Sequence, residues 1–220
     1  MAKLVQKSSY IKSGKASGYM RYIATREGVE KLAGNGAVTK GQRELIQKLL
    51  TDFPDAVELF EYEDYCKTPT LGTASAFISM ELDANLHEID SESGYMQYIA
   101  TRPRVQKRGT HGLFSSATAV DLASAMSELE AQEGNVWTII YSLRREDAAR
   151  LEYDNADAWR TLLMENAPAL AKSMKISLDN FHWYAAFHNE GHHPHIHMMV
   201  WSDDPKEGFL TKDGIAAMRS

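Results

Sequence analysis

The sequence predicts an α+β fold in which an antiparallel β-sheet carries helices packed on its face. Strand-like alternation occurs near the start of the chain and again in its second half, and helical patterns dominate the region between. Two alternating segments, residues 181–188 and 195–202, flank a short loop that contains Gly191 and Pro194. Both loop residues favour turns, so these segments predict an antiparallel hairpin.

The first part of the chain predicts one strand followed by helices. Residues 3–11 alternate as a strand does. The helices that follow are predicted at residues 17–31, 41–52, 55–65 and 74–85. The strand and this helical block account for the first half of the α+β pattern.

The second part of the chain mixes helices and strands. Residues 91–106 and 120–132 predict helices, and the second of these is amphipathic. A loop is predicted at 110–116, an apolar strand at 136–143 and a short helical turn at 145–150. The order of elements is therefore a strand, a helical block, and then β-α-β-β.

The last long helix is predicted to begin at Asn155, because asparagine is a favoured N-cap residue. Pro168 is expected to break or restart this helix, because proline lacks the backbone N–H that a helix interior uses. Residues 210–220 predict the start of a further helix that stops abruptly. We therefore expect that the C-terminal region of a longer protein is missing.

Histidine is concentrated in the predicted hairpin, where five of the chain's eight histidines fall within residues 188–197. Side chains two residues apart on a strand share a face. His195 and His197 therefore point the same way, and His188 on the first strand joins them if the two faces coincide. Residues 196, 198 and 200 then point into an apolar core.

Three converging imidazoles predict a site for a transition-metal ion. A catalytic site keeps positions open for substrate, whereas a structural site closes with a fourth ligand. Cys66 is far away in sequence, and His192 or His193 would have to close the site instead. We favour a catalytic metal, with a structural or adventitious ion as the alternative.

Charge is segregated along the chain, although the net charge is −6. Residues 1–50 hold ten Lys and Arg against three acids, residues 51–100 hold one against eleven, and residues 101–110 hold four and no acid. A basic face of this kind would track phosphates. The single cysteine and the lack of an apolar run long enough to cross a membrane favour a cytoplasmic protein with no membrane insertion.

A nine-residue segment occurs twice, as residues 18–26 and 94–102, with eight of nine positions identical. On a helix, Tyr19 and Tyr22 lie on one side with Arg26, and the second copy repeats this arrangement with Tyr95, Tyr98 and Arg102. Paired tyrosines are often core residues with satisfied hydroxyls. A tyrosine beside a basic residue is also typical of a nucleophile that forms a phosphotyrosyl bond, and the residues alone leave both interpretations open.

The histidine hairpin carries a resemblance to a known family. The pattern His188-x-Glu190 followed by Pro194-His195-x-His197 resembles the three-histidine motif of HUH endonucleases, and is closest to that of conjugative relaxases. The chain as a whole looks like the N-terminal catalytic domain of a MobL-type relaxase. Further support comes from the repeated Tyr-Ile-Ala-Thr-Arg and from residues 134–138, 142–147 and 183–188.

The resemblance implies a site- and strand-specific DNA nickase and strand transferase that begins conjugative plasmid transfer. A tyrosine attacks the scissile phosphate and becomes joined to the 5′ end of the cut strand. The implied cofactor is a divalent ion, Mn²⁺ or Mg²⁺, with zinc, nickel or cobalt as substitutes. The implied partners are single-stranded plasmid DNA at the origin of transfer, accessory relaxosome proteins and a coupling protein.

The resemblance also implies roles for individual residues. His188, His195 and His197 would bind the metal, and Glu190 would orient or polarise one of them, although many family members have Asp there. His193 is a possible accessory base or ligand. Tyr22 is the favoured nucleophile and Tyr98 the alternative. The candidate DNA-binding residues are Arg21, Arg26, Arg102, Arg104, Lys107, Arg108, Arg144 and Arg145.

We expect residues 1–220 to form a single relaxase catalytic domain in which residues 34–90 are a helical insertion or subdomain. Two other functions stay open. One is a replication initiator or transposase that uses the same HUH chemistry. The other is a non-enzymatic metal- or DNA-binding module in which the tyrosines are structural.

Overall fold

The computed structural model describes residues 3–10, 36–85, 92–101, 105–190 and 193–218. The chain forms two compact units, one made of residues 1–11 and 91–220 and the other of residues 12–90. We describe each unit by itself. The predicted helix at residues 17–31 lies outside the described residues, and the single-domain organisation with an insertion at 34–90 stays a prediction.

The described part of the unit of residues 12–90 consists mainly of helices, with an isolated β-bridge between Ala37 and Thr70. Helix α1 spans Lys40–Asp52, a 3₁₀ turn spans Pro54–Glu58, α2 spans Phe60–Lys67 and α3 spans Leu71–Ala84. Residues 55–65 were expected to form one helical segment, and they divide at Leu59, whose backbone is extended (φ −68°, ψ 142°).

Helix α3 begins three residues before its predicted start, because Thr70 caps it. The hydroxyl of Thr70 accepts a hydrogen bond from the backbone N–H of Thr73 (3.2 Å). In return, the Thr73 side chain accepts from the backbone N–H of Thr70. Such a capping box satisfies two backbone N–H groups at the helix start. The prediction started from the apolar pattern and so placed the helix start too late.

The other unit is built on a five-stranded antiparallel sheet with the strand order β1-β3-β5-β4-β2. The strands are β1 (Leu4–Tyr10), β2 (Leu113–Phe114), β3 (Trp137–Leu143), β4 (Phe181–His188) and β5 (His195–Ser202). This confirms the α+β class and the predicted hairpin of β4 and β5. The loop predicted at 110–116 is wrong in part, because residues 113 and 114 pair with Ala186 and Ala185 at the sheet edge.

Five α-helices belong to this unit in its described part. They are α4 (Glu92–Thr101), α5 (Leu122–Glu130), α6 (Arg145–Arg150), α7 (Ala156–Met174) and α8 (Lys212–Met218). The predicted short turn at 145–150 matches α6. The amide oxygen of Asn155 accepts from the N–H of Ala158 (2.9 Å), which confirms the predicted cap of α7.

Helix α7 continues through Pro168, so the predicted break there is wrong. An internal proline costs a helix about 3 kcal/mol. Residues on both sides of it bury apolar side chains in the main core, among them Trp159 and Leu163 before the proline and Leu170 and Met174 after it. Because fully burying each such side chain contributes about 1.5–3 kcal/mol, packing of the continuous helix offsets the cost.

The main core lies between α7 and one face of the sheet. Ile139, Phe187, Ile196 and Met198 contribute to it from the strands. These residues alternate with side chains on the opposite face, which is the face that carries the histidines. All eight residues of β5 are buried, so both faces of this central strand are covered.

Candidate metal centre

The hairpin of β4 and β5 brings three histidines to one point. His188 lies directly opposite His195 in the antiparallel pairing, and His197 lies opposite Ala186. Directly opposed residues and residues two apart share a face. The strand period therefore places all three imidazoles on the face opposite the main core, as the sequence predicts.

The three side chains are buried and closely packed. His188 and His197 are 0% exposed and His195 is 2% exposed. The ring centroids lie 5.2 Å apart for His188 and His195, 4.7 Å for His188 and His197, and 5.0 Å for His195 and His197. One nitrogen from each ring lies within 4.8 Å of the other two, a spacing that could hold one metal ion.

Each ring also uses one nitrogen in an outer hydrogen bond. Nε2 of His188 donates to the carbonyl oxygen of Ile99 (2.8 Å), and Nδ1 of His195 donates to the carbonyl oxygen of His193 (3.0 Å). Nδ1 of His197 lies 2.9 Å from the hydroxyl oxygen of Tyr95. The nitrogens on the opposite sides of the rings, Nδ1 of His188 and Nε2 of His195 and His197, are those that an ion would take.

The donor set fits a divalent transition metal. Neutral imidazole suits ions such as zinc, nickel, copper and iron, and three protein ligands leave coordination positions for substrate. Outer hydrogen bonds of the kind seen here normally fix the tautomer and orientation of a ligand histidine. The arrangement could therefore hold a metal ion and leave coordination positions open.

A family match covers nearly the whole chain. Residues 1–219 match the family described as MobL relaxases. The chain belongs to the MobL relaxase family. Searches of curated proteins and of solved structures return no match. Membership implies DNA nicking in conjugation and binding of DNA at an origin of transfer.

The structure describes one of the two predicted nucleophiles of this MobL relaxase. Tyr22 lies outside the described residues. Tyr98 lies on α4 and is half-buried. Tyr95, one turn earlier on the same helix, contacts His197 of the histidine group and is 0% exposed.

Tyr95 was not predicted as a site residue, because helical spacing groups it with Tyr98 and Arg102. Among residues 95–101 of α4, whose side chains the structure describes, the buried ones are instead Tyr95, Met96, Ile99 and Ala100. The apolar identity of residues 96, 99 and 100 was the signal that could have identified this inward face.

Glu190 and His193 lie in the loop that joins the two hairpin strands. The backbone N–H of Glu190 donates to the carbonyl of His188 (3.0 Å), and its own carbonyl accepts from Arg145. His193 is buried and provides the carbonyl that holds His195. A role for the Glu190 carboxylate or the His193 imidazole in catalysis stays a prediction.

Four of the eight candidate DNA-binding cations lie outside the described residues, namely Arg21, Arg26, Arg102 and Arg104. Of the others, Arg108 pairs with Asp157 and lines an open groove of about 710 Å³ that also includes Thr101 at the end of α4. Arg145 donates to the amide oxygen of Asn189 (2.7 Å), so it contacts the histidine hairpin loop directly. Lys107 is exposed, and Arg144 is half-buried at the N-cap of α6.

A further tyrosine on the histidine face is poorly suited to act as a nucleophile. Burial, together with the hydrogen bond that the Tyr184 hydroxyl donates to Glu128 (2.8 Å), raises the pKa of Tyr184 well above its usual value. A raised pKa disfavours the phenoxide that attacks a phosphate.

Within the described ranges, no helix has the length and apolarity needed to span a bilayer.

Proposed function

We propose that this MobL relaxase cuts one strand of plasmid DNA at an origin of transfer, with a tyrosine nucleophile and a metal centre formed by His188, His195 and His197. The observation that carries the proposal is the group of three buried imidazoles whose ligand nitrogens lie within 4.8 Å of one another. The family match over residues 1–219 supports a relaxase over a replication initiator or transposase.

Nδ1 of His188 and the Nε2 atoms of His195 and His197 would hold the ion. When bound, a divalent cation would neutralise charge that builds on a non-bridging phosphate oxygen in the transition state. Because imidazoles are neutral ligands, the three histidines leave the full positive charge of the site available to the phosphate. Their burial also excludes water, which strengthens electrostatic interactions in the centre.

The nucleophile in this proposal is Tyr22, with Tyr98 as the alternative. The phenolic hydroxyl loses its proton, its oxygen forms a bond to phosphorus, and the bond from phosphorus to the 3′ oxygen breaks. The 3′ oxygen takes up a proton, so the products are a free 3′ hydroxyl and a 5′ phosphotyrosyl linkage. His193 is the candidate to accept the tyrosine proton, and Glu190 would orient or polarise a ligand histidine, since both lie in the hairpin loop beside the ligand histidines.

The cations of the sheet unit would hold the DNA. Arg108 lines the groove that reaches the end of α4, and Arg145 contacts the loop that carries Asn189 and Glu190. Arginine binds phosphate oxygens with two parallel hydrogen bonds, which fixes the register of the strand without reading its sequence. Accessory relaxosome proteins and a coupling protein are further proposed partners.

The test is a nicking assay on supercoiled plasmid that carries the cognate origin, in the presence of Mn²⁺. We expect a nicked product and a protein–DNA adduct that survives detergent. Tyr22→Phe should abolish the adduct and Tyr98→Phe should retain it. If only Tyr98→Phe abolishes it, the alternative nucleophile is correct, and adduct formation by both variants refutes the assignment of either tyrosine.

The metal centre is tested separately with a matched pair of variants. His197→Ala should lose both Mn²⁺ binding and nicking. His182→Ala should keep both, because His182 lies on β4 outside the metal group and pairs with Asp203 (2.7 Å). Binding of origin DNA by the parent protein without any nick or adduct would favour a non-enzymatic DNA-binding module.

A further inference from the structure

Helix α4 contacts two of the three ligand histidines from positions one turn apart. The hydroxyl of Tyr95 lies 2.9 Å from Nδ1 of His197, and the carbonyl oxygen of Ile99 lies 2.8 Å from Nε2 of His188. Residues four apart on a helix lie on the same side. One side of α4 therefore supports two ligands of the proposed metal centre.

The Ile99 carbonyl is available because it lies in the last turn of α4. The last four carbonyl groups of an α-helix have no partner within the helix. The carbonyl of Ile99 accepts from His188, and that of Ala100 accepts from the backbone N–H of Gly112 (2.7 Å). Because the C-terminal end of a helix carries partial negative charge, it also favours the polarised N–H of a ligand imidazole.

The Tyr95 contact selects the tautomer of His197. A neutral imidazole has one protonated nitrogen and one with a lone pair. Binding of an ion through Nε2 requires that Nδ1 carry the proton, and Nδ1–H then donates to the hydroxyl oxygen of Tyr95. The ring of Tyr95 also packs edge-on against His197, with centroids 6.2 Å apart and an interplanar angle of 74°.

We propose that Tyr95 is a positioning residue that holds His197 in the orientation and tautomer needed for metal binding. The inference rests on the proposed metal centre and assigns one tyrosine of the repeated segment to its support. The second copy of the repeat thus serves the metal centre through Tyr95 and Ile99, and Tyr95 is not the nucleophile.

One feature distinguishes Tyr95 from the attacking tyrosine. Its hydroxyl lies at Nδ1, on the opposite side of the imidazole from the nitrogen that would face the ion. A group at this position acts on the reaction through His197.

The experiment compares Tyr95→Phe with Tyr184→Phe in the full chain. Each change removes one tyrosine hydroxyl that makes a side-chain hydrogen bond, but the hydroxyl of Tyr184 contacts Glu128 instead of a ligand histidine. The Mn²⁺ dissociation constant is measured by titration calorimetry. Loss of an outer hydrogen bond to a metal ligand typically lowers metal affinity about 10- to 100-fold, and we expect this for Tyr95→Phe and no change for Tyr184→Phe.

Nicking provides a second readout. In Tyr95→Phe, the Mn²⁺ concentration that gives half-maximal nicking should rise by the same factor as the dissociation constant, and adduct formation should return at saturating Mn²⁺. Unchanged Mn²⁺ affinity in a folded Tyr95→Phe overturns the inference but leaves the metal centre intact. Loss of the adduct at every Mn²⁺ concentration with unchanged affinity identifies Tyr95 as the nucleophile and also overturns it.

Two other outcomes are decisive. If the parent protein binds no divalent ion, the proposed metal centre fails and this inference fails with it. If Tyr95→Phe does not fold, ¹⁵N NMR of the parent loaded with Zn²⁺ tests the same contact. A protected proton on Nδ1 of His197 supports the inference, and coordination of Zn²⁺ through Nδ1 overturns it.

Discussion

Replacing Gly112 with alanine should destabilise the sheet unit and weaken metal binding at the proposed metal centre. A Cβ atom at this position would lie 2.2 Å from Cγ2 of Val105, 3.3 Å from Cβ of Val105 and 3.1 Å from the carbonyl oxygen of Gln106. Rotation of the valine side chain cannot relieve all three contacts, because Cβ and the carbonyl oxygen move only with the backbone. The backbone at 105–106 must therefore shift.

That shift would reach the histidines. Val105 forms a β-bridge with His188, and the N–H of Gln106 donates to the carbonyl of Phe187 (2.9 Å). Overpacking of a well-packed site typically costs about 1–3 kcal/mol. For a chain of this size, each kcal/mol lowers the melting temperature by about 2–4 °C.

The assay is urea unfolding of Gly112→Ala beside the parent, followed by Mn²⁺ titration of both folded proteins. Gly41→Ala is the matched control, because a Cβ atom at Gly41 meets nothing within 4 Å. We expect a loss of about 1–3 kcal/mol and weaker Mn²⁺ binding only in Gly112→Ala. An unfolding free energy within about 0.5 kcal/mol of the parent value would refute the argument from the close contacts.

Three further predictions concern the metal, an acid and a helix cap. Mn²⁺ at about 100 times its dissociation constant should raise the unfolding free energy by about 2.7 kcal/mol. His197→Ala should remove this stabilisation. Thermal unfolding of both proteins, with and without a chelator, measures the difference. The carboxyl group of Glu207 accepts several hydrogen bonds that lower its pKa, and the bond from Ser202 (2.6 Å) has the largest effect. The lowered pKa gives stability that is present above the unfolded-state pKa and is lost as pH falls through the folded value. Glu207→Gln should therefore flatten the acid side of the stability–pH profile, which urea titrations across that range would show. Thr70→Ala should lower stability by about 0.5–2 kcal/mol through loss of the α3 cap, whereas retention of full stability in urea would contradict the capping role.

The elements that could be predicted are those whose signals are local. The bounds of β4 and β5 follow from alternation in the sequence, and the same alternation places His188, His195 and His197 on one face. The N-cap of α7 follows from Asn155 in the same way. In each case, a few neighbouring residues contain the whole signal.

The elements that were missed depend on distant residues. Strand β2 has two residues and exists because β4 provides an edge to pair with, about seventy residues later. The continuity of α7 through Pro168 depends on core packing that the helix sequence alone does not contain. Tyr95 was missed for the same reason, since its role depends on His197, which is 102 residues away in the chain.

The pairing of β4 with β5 makes correct folding of the hairpin and assembly of the ligand set a single event. A slip of one residue in either strand would turn its side chains to the opposite side of the sheet. Imidazoles would then enter the space occupied by Ile196 and Met198, and those aliphatic chains would replace the ligands. A chain that folds with the wrong partner alignment would therefore lose its apolar interior and its proposed ion site together.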